Sequence, residues 1–166
     1  RGATALSPVA FEAAANETGA LMLDTRKPTD FANGFIPNSI NIGIDGSFAP
    51  WVGALITDIR QQILVISDSG REEEVVTRLA RVGYDNCIGY LKGGMENWKK
   101  GGKKTETINS ITADSFLKLY KEDGKTLDVR RPGEYDSARL KKSENRPLDF
   151  IYDWVDSQDK SHPYLI

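Results

Sequence analysis

Ser67, Cys87 and His162 are the first candidates for a nucleophile or base in a neutral-pH reaction of this 166-residue sequence. Ser67 opens Ser67-Asp68-Ser69-Gly70-Arg71-Glu72, which follows the apolar run Ile63-Leu64-Val65-Ile66. A serine hydroxyl needs a base within reach to become a nucleophile. The single histidine, His162, stands far along the chain in Lys160-Ser161-His162-Pro163 and reads as a solvated loop residue leading into a strand. Cys87, the single cysteine, opens a predicted strand and reads as a buried apolar thiol. One cysteine excludes an internal disulfide and is compatible with a reducing cytoplasm, so a cytoplasmic location is expected. No zinc-ligand spacing, phosphate loop or nucleic-acid motif is present, and no cofactor is expected.

The acids Glu72, Glu73 and Glu74 suit the first turn of a helix. Arg78 and Arg81 lie one and two turns later, where local ion pairs can form. Asp24 and Arg26 follow another short apolar run, Leu21-Met22-Leu23.

The elements around these residues alternate. Ser7-Pro8 caps a helix through Phe11, and Leu21–Leu23 is a strand. A short helix starts at Pro28, Ile40 to Ile44 is a strand, and Phe48 to Ile59 is helical in pattern. Ile63–Ile66 is the clearest strand, and a helix from Glu72 to Val82 ends at Gly83. Cys87–Leu91 is a strand, and Gly93-Gly94 precedes a helix carrying Trp98. This pattern implies an α/β fold with a mainly parallel sheet flanked by helices on both faces. Trp51, Trp98 and Trp154 are expected in cores.

The chain then repeats itself. Asp24, Arg26, Pro28, Asp30, Phe31, Ile36, Ser39 and Asn41 match Asp128, Arg130, Pro132, Glu134, Tyr135, Leu140, Ser143 and Asn145, all at an offset of 104. Trp51 and Trp154 follow at 103, and the strand ending at Ile66 aligns with Tyr164-Leu165-Ile166. A constant offset over eight positions implies tandem copies of one fold, the second incomplete. A polar, glycine-containing stretch from Lys99 to Thr107 separates them, giving expected domains 1–106 and 107–166.

Bulk composition agrees with a globular chain: 39% hydrophobic, 28% charged, net charge -2. That balance offers no basic field for nucleic acid or a membrane surface, and no apolar run approaches the ~20 residues that span a bilayer.

The first copy resembles the rhodanese (sulfurtransferase) domain family. The resemblance rests on Leu23-Asp24-Thr25-Arg26, on Phe31 to Asn41 with Gly34 and Ile36-Pro37, on the step from Val65 to Val76, and most specifically on Tyr90-Leu91-Lys92-Gly93-Gly94 with Trp98 and Gly101. The second copy matches through Asp128-Val129-Arg130 and Arg131-Pro132-Gly133-Glu134-Tyr135. The tandem order resembles the rhodanese section of metallo-β-lactamase-fold/rhodanese fusion proteins.

The resemblance implies a cysteine thiolate at the head of the loop after the central strand, which accepts a sulfane sulfur while loop N–H groups hold the charge. Here that position is Ser67, which cannot form a persulfide, and the resemblance implies that Asp24 and Arg26 form an ion pair that supports this loop. Asp68, Glu72, Glu73 and Glu74 place acids where an anionic donor needs positive potential, and Arg71 offsets part of it. The family's usual histidine after the glycine is replaced by Phe35, and the Cys-x5-Arg pattern of phosphatases on the same fold fails at Ser67 and Glu73.

The first domain is therefore expected to be catalytically inactive. It would serve as a structural or docking module of a larger sulfur-handling enzyme, whose working cysteine would lie just past Ile166. The alternative is a regulatory module using the degenerate loop as a partner- or anion-binding pocket. Expected partners are other domains of the parent protein, with a homodimer through the incomplete second copy. That half-domain would leave Phe150, Ile151, Trp154 and Val155 partly uncovered.

Overall fold

The computed structural model describes residues 3–166. They form two compact units, residues 3–109 and 110–166.

The first unit is a five-stranded, wholly parallel sheet in the order β1-β5-β4-β2-β3. The strands are β1 (Thr4–Leu6), β2 (Leu21–Asp24), β3 (Ile40–Asn41), β4 (Ile63–Ile66) and β5 (Cys87–Leu91). The helices are α1 (Pro8–Thr18), α2 (Pro28–Ala32), α3 (Phe48–Leu55), α4 (Glu72–Arg81) and α5 (Gly94–Lys100). Ser7 caps α1 by accepting the Ala10 N–H, and Gly19 ends it in the left-handed region.

Because β4 is central, all four of its residues are fully buried, and alternation sends them to two cores. Ile63 and Val65 join Leu23 under α3 and α4, through Phe48, Val52, Val75 and Leu79. Leu64 and Ile66 join Leu91 under α1 and α5, through Phe11, Met95 and Trp98. Phe11 meets Trp98 edge-on with ring centroids 6.2 Å apart.

Two predicted elements differ, and one strand was not predicted. The strand expected over 40–44 is only Ile40–Asn41, because Ile42 and Ile44 then bond back to Asp24 and Thr25 as the chain leaves the sheet. The helix expected to Ile59 stops at Leu55. Thr4–Leu6, which is too short to carry periodicity, is the edge strand beside β5. Residues 106–108 belong to the first unit: Phe35 and Glu106 exchange backbone hydrogen bonds, and the Ile108 N–H donates to Ala32.

The second unit holds α6 (Ala113–Lys121), β6 (Thr126–Asp128), α7 (Pro132–Ser137), β7 (Ser143–Asn145) and two 3₁₀ segments, Leu148–Asp153 and Val155–Ser157. Some of its pairings and hydrogen bonds are of the same kind as those of the first. β6 pairs with β7 as β2 pairs with β3, with Asp128 opposite Asn145 as Asp24 is opposite Asn41. The Asn145 side-chain amide donates to the carbonyls of Asp128 and Arg130, as Asn41 does to Asp24 and Arg26. Thr126 bridges in parallel to Leu165, as Met22 pairs with Leu64. Leu165 therefore corresponds to Leu64 and Ile166 to Val65. The sequence alignment, which set Ile166 against Ile66, is out of register by one residue, since the shorter connection left nothing to fix it.

Among the described residues Leu127 is the one buried apolar side chain of this unit. Phe150 is 56% exposed, whereas Ile151, Trp154 and Val155 are half-buried.

Candidate functional site

β4 delivers Ser67 to the carboxyl edge of the parallel sheet, the edge at which open α/β folds carry their sites. Ser67 is buried, with no hydrogen-bond partner for its hydroxyl among the described residues. The chain then turns sharply. The Arg71 N–H donates to the Asp68 carbonyl at 3.1 Å, and Gly70 takes φ +86°, a value that a β-carbon strains. α4 begins at Glu72. No group among the described residues accepts a hydrogen bond from the N–H of Asp68, Ser69 or Gly70.

The second wall is Gly94, at the start of α5, with φ +55°. A β-carbon there would lie 3.2 Å from the Ser67 carbonyl oxygen, so the glycine lets α5 approach the loop.

Asp24 and Arg26 sit at the end of β2, beside the end of β4. Arg26 Nε lies 3.0 and 3.1 Å from the two Asp24 oxygens, and Nη2 lies 2.6 Å from Oδ2 and 2.9 Å from the Gly34 carbonyl. The guanidinium thus secures the exit of α2. The link to the β4 end is Thr25, whose N–H and hydroxyl both donate to the Ile66 carbonyl. Burial raises the Asp24 carboxyl above its usual value, and the hydrogen bonds and charge of Arg26 pull it back. The position after Gly34 is filled by Phe35, stacked on Phe31 at 4.4 Å.

Arg71 is the loop's own cation, and it is fully committed. Its Nη atoms bind the two Asp45 oxygens at 2.8 and 2.9 Å, and Nε binds Glu74 at 2.9 Å. Arg78 binds the other Glu74 oxygen at 2.9 Å and the Ile44 carbonyl at 2.7 Å. The Arg71 guanidinium holds the Asp45 and Glu74 carboxyls below their ordinary values, and they raise its own. Sequence reasoning missed Asp45: it precedes Arg71 by 26 residues in a loop, and no periodicity connects them. Asp68, Glu72 and Glu73 have no ion-pair partner among the described residues, so the loop's uncompensated charge is negative.

Cys87 lies at the other edge. It pairs with Ile63, the first residue of β4. Four residues of strand, ~13 Å, separate that level from Ser67. Burial pushes its thiol up to about 11, and its Sγ contacts the Gly89 carbonyl at 3.7 Å. A thiol so placed is neither at the loop nor ionised near neutrality. His162 is exposed, 2.9 Å from Asp159. Among the described residues no cluster of His, Cys, Asp or Glu could hold a metal ion, and no helix is long and apolar enough to cross a membrane.

No curated protein sequence matches this chain. Solved structures do. The Alr3790 protein from Anabaena superposes with a TM-score of 0.55 at 21% identity, over 71% of this chain and 92% of that one. Thiosulfate sulfurtransferase from Pseudomonas aeruginosa gives 0.53 at 20% identity, over 93% of this chain and 36% of that one. The 3-mercaptopyruvate sulfotransferase SseA from Escherichia coli gives 0.52 at 12% identity, over 98% and 86%. These likenesses establish the shared fold. The family description "Rhodanese-like domain" matches residues 7–101, more than half of the chain, and takes in β2 through α5 with the Ser67 loop. The chain is therefore a member of the rhodanese-like domain family.

Proposed function

We propose that this chain is a rhodanese-like module that does not itself transfer sulfur, and that it serves as a structural or docking part of a larger sulfur-handling enzyme. The observation that carries the reading is Ser67 at the mouth of the loop between β4 and α4, with the single thiol, Cys87, at the opposite edge of the sheet. Sulfur transfer through a rhodanese loop needs a thiolate that attacks the outer sulfur of a donor such as thiosulfate. The S–S bond of the donor breaks, sulfite leaves, and the enzyme keeps a persulfide. Serine offers no sulfur for that bond and is far less ionised than a thiol of pKa ~8.5. The salt bridges of Arg71 to Asp45 and Glu74 oppose the same step, because they remove the cation that an anionic donor would meet.

We read residues 110–166 as elements of a second copy of the same fold, three residues later than the expected start at 107. The recurring hydrogen bonds of Asp128, Arg130 and Asn145 support this, as do alignments to sulfurtransferase structures too long to be confined to the first unit. The tandem order fits a fusion with a catalytic domain, including one of metallo-β-lactamase fold. Intact-mass analysis after incubation with excess thiosulfate is the test. The chain is expected to keep its mass, and a gain of one sulfur atom that a reductant removes would overturn the proposal.

A further inference from the structure

We propose that the groove between α4 and the β1–β5 edge of the first unit docks an extended peptide segment of a partner protein, one that carries a basic and an acidic residue four positions apart with a small apolar residue midway between them. The groove holds about 850 Å³, the size of a ligand site, and is open along one side. It exists because of residue size. On this face of the sheet β5 presents Tyr90, and β1 beside it presents only Ala5, opposite Tyr90, preceded by Ala3. Leu6, the larger side chain of β1, turns to the other face and packs with the α1–α5 core. Two alanines cannot fill the space between Tyr90 and α4, so Val76 and Ala80 of α4 line it instead of being covered.

Its charges set the occupant. Glu72 and Glu73 stand at one end and Arg81 at the other, and none has an ion-pair partner among the described residues. Glu74, one residue on, is by contrast held by both Arg71 and Arg78. From Glu73 to Arg81 the helix rises ~12 Å. About four residues of extended chain cover that distance, and residues four apart on a strand face the same side. β1 is an edge strand: β5 pairs with one side of it, and no strand among the described residues pairs with the other. Its free backbone groups are a template for strand addition. The groove and edge together fit a peptide with a lysine or arginine at Glu72 and Glu73, a small apolar side chain against Val76 and Tyr90, and a carboxylate at Arg81. This surface does not depend on whether Ser67 transfers sulfur.

The test is a titration of the ¹⁵N-labelled full chain with capped peptides in which lysine and glutamate, in either order, flank threonine-valine-threonine, so that the valine faces Val76 and Tyr90 with the two charges. The expected result is a set of amide shifts at Ala5, Val76, Ala80 and Tyr90, with those of Ile63–Ile66 unmoved. Binding should weaken with salt, and a Glu72→Gln/Glu73→Gln variant should bind several-fold more weakly. Shifts elsewhere, no shifts, or binding untouched by the double substitution would overturn the proposal. So would shifts that grow with protein concentration without peptide, since a second copy would then be the occupant.

Discussion

Arg26 and Arg130 make the same hydrogen bonds in different solvents. Each chelates an aspartate two residues back and donates to a carbonyl eight residues on, Gly34 for one and Ala138 for the other. Arg26 is 9% exposed and Asp24 is not exposed at all, whereas Arg130 is 44% exposed. Removing one partner of a buried pair strands the other charge, so Arg26→Ala should cost ~3–5 kcal/mol in urea unfolding. Arg130→Ala should cost far less, because water replaces what is lost. Equal losses would show that the two pairs are equally dry. Cys87 makes a second residue-scale prediction. With its thiol near 11, iodoacetamide at pH 8 should modify the folded chain slowly and the denatured chain fast. The folded rate should climb only as the pH nears that value, and fast labelling at pH 7 would contradict the burial.

At the scale of elements, the meeting of α5 with the Ser67 loop depends on one residue. Gly94→Ala would place a side chain in the left-handed region, at ~1–2 kcal/mol, and press it on the Ser67 carbonyl. A clear fall in melting temperature, with amide shifts at Ser67 and Asp68, is expected, and an unchanged melting temperature would mean that the approach is slack. Much of this fold was legible in the sequence for physical reasons. Ile63–Ile66 is buried on both faces and so reads as an unbroken apolar run, and Gly93-Gly94 and Ser7-Pro8 are punctuation with a steric cause. What escaped was nonlocal. Thr4–Leu6 is a strand only because β5 lies beside it, the 40–44 run ends where tertiary bonds pull it out of the sheet, and the grip of Asp45 on Arg71 joins two loops. Ser67, Asp24 and Arg26 could be placed because each lies at or just past the end of a strand. The side-chain bonds of Arg26, to the exit of α2, could not.

The molecule as a whole divides unevenly. Two cores stabilise the first unit, and the second has one buried apolar side chain among its described residues, with Leu117, Leu119, Leu140 and Phe150 all 41–56% exposed. Burial is the main source of stability, so the second unit should open first. Hydrogen exchange should find Leu21–Asp24 and Ile63–Ile66 slow and Thr126–Asp128 faster by orders of magnitude. Matching protection would show one cooperative body. The central claim concerns chemistry, and the most direct test of it is a steady-state assay of sulfur transfer from thiosulfate to cyanide, run on the unmodified chain beside Ser67→Cys. The unmodified chain is predicted to form no thiocyanate above the uncatalysed rate, and Ser67→Cys to remain weak while Asp45 and Glu74 hold Arg71. Turnover by the unmodified chain would contradict the account.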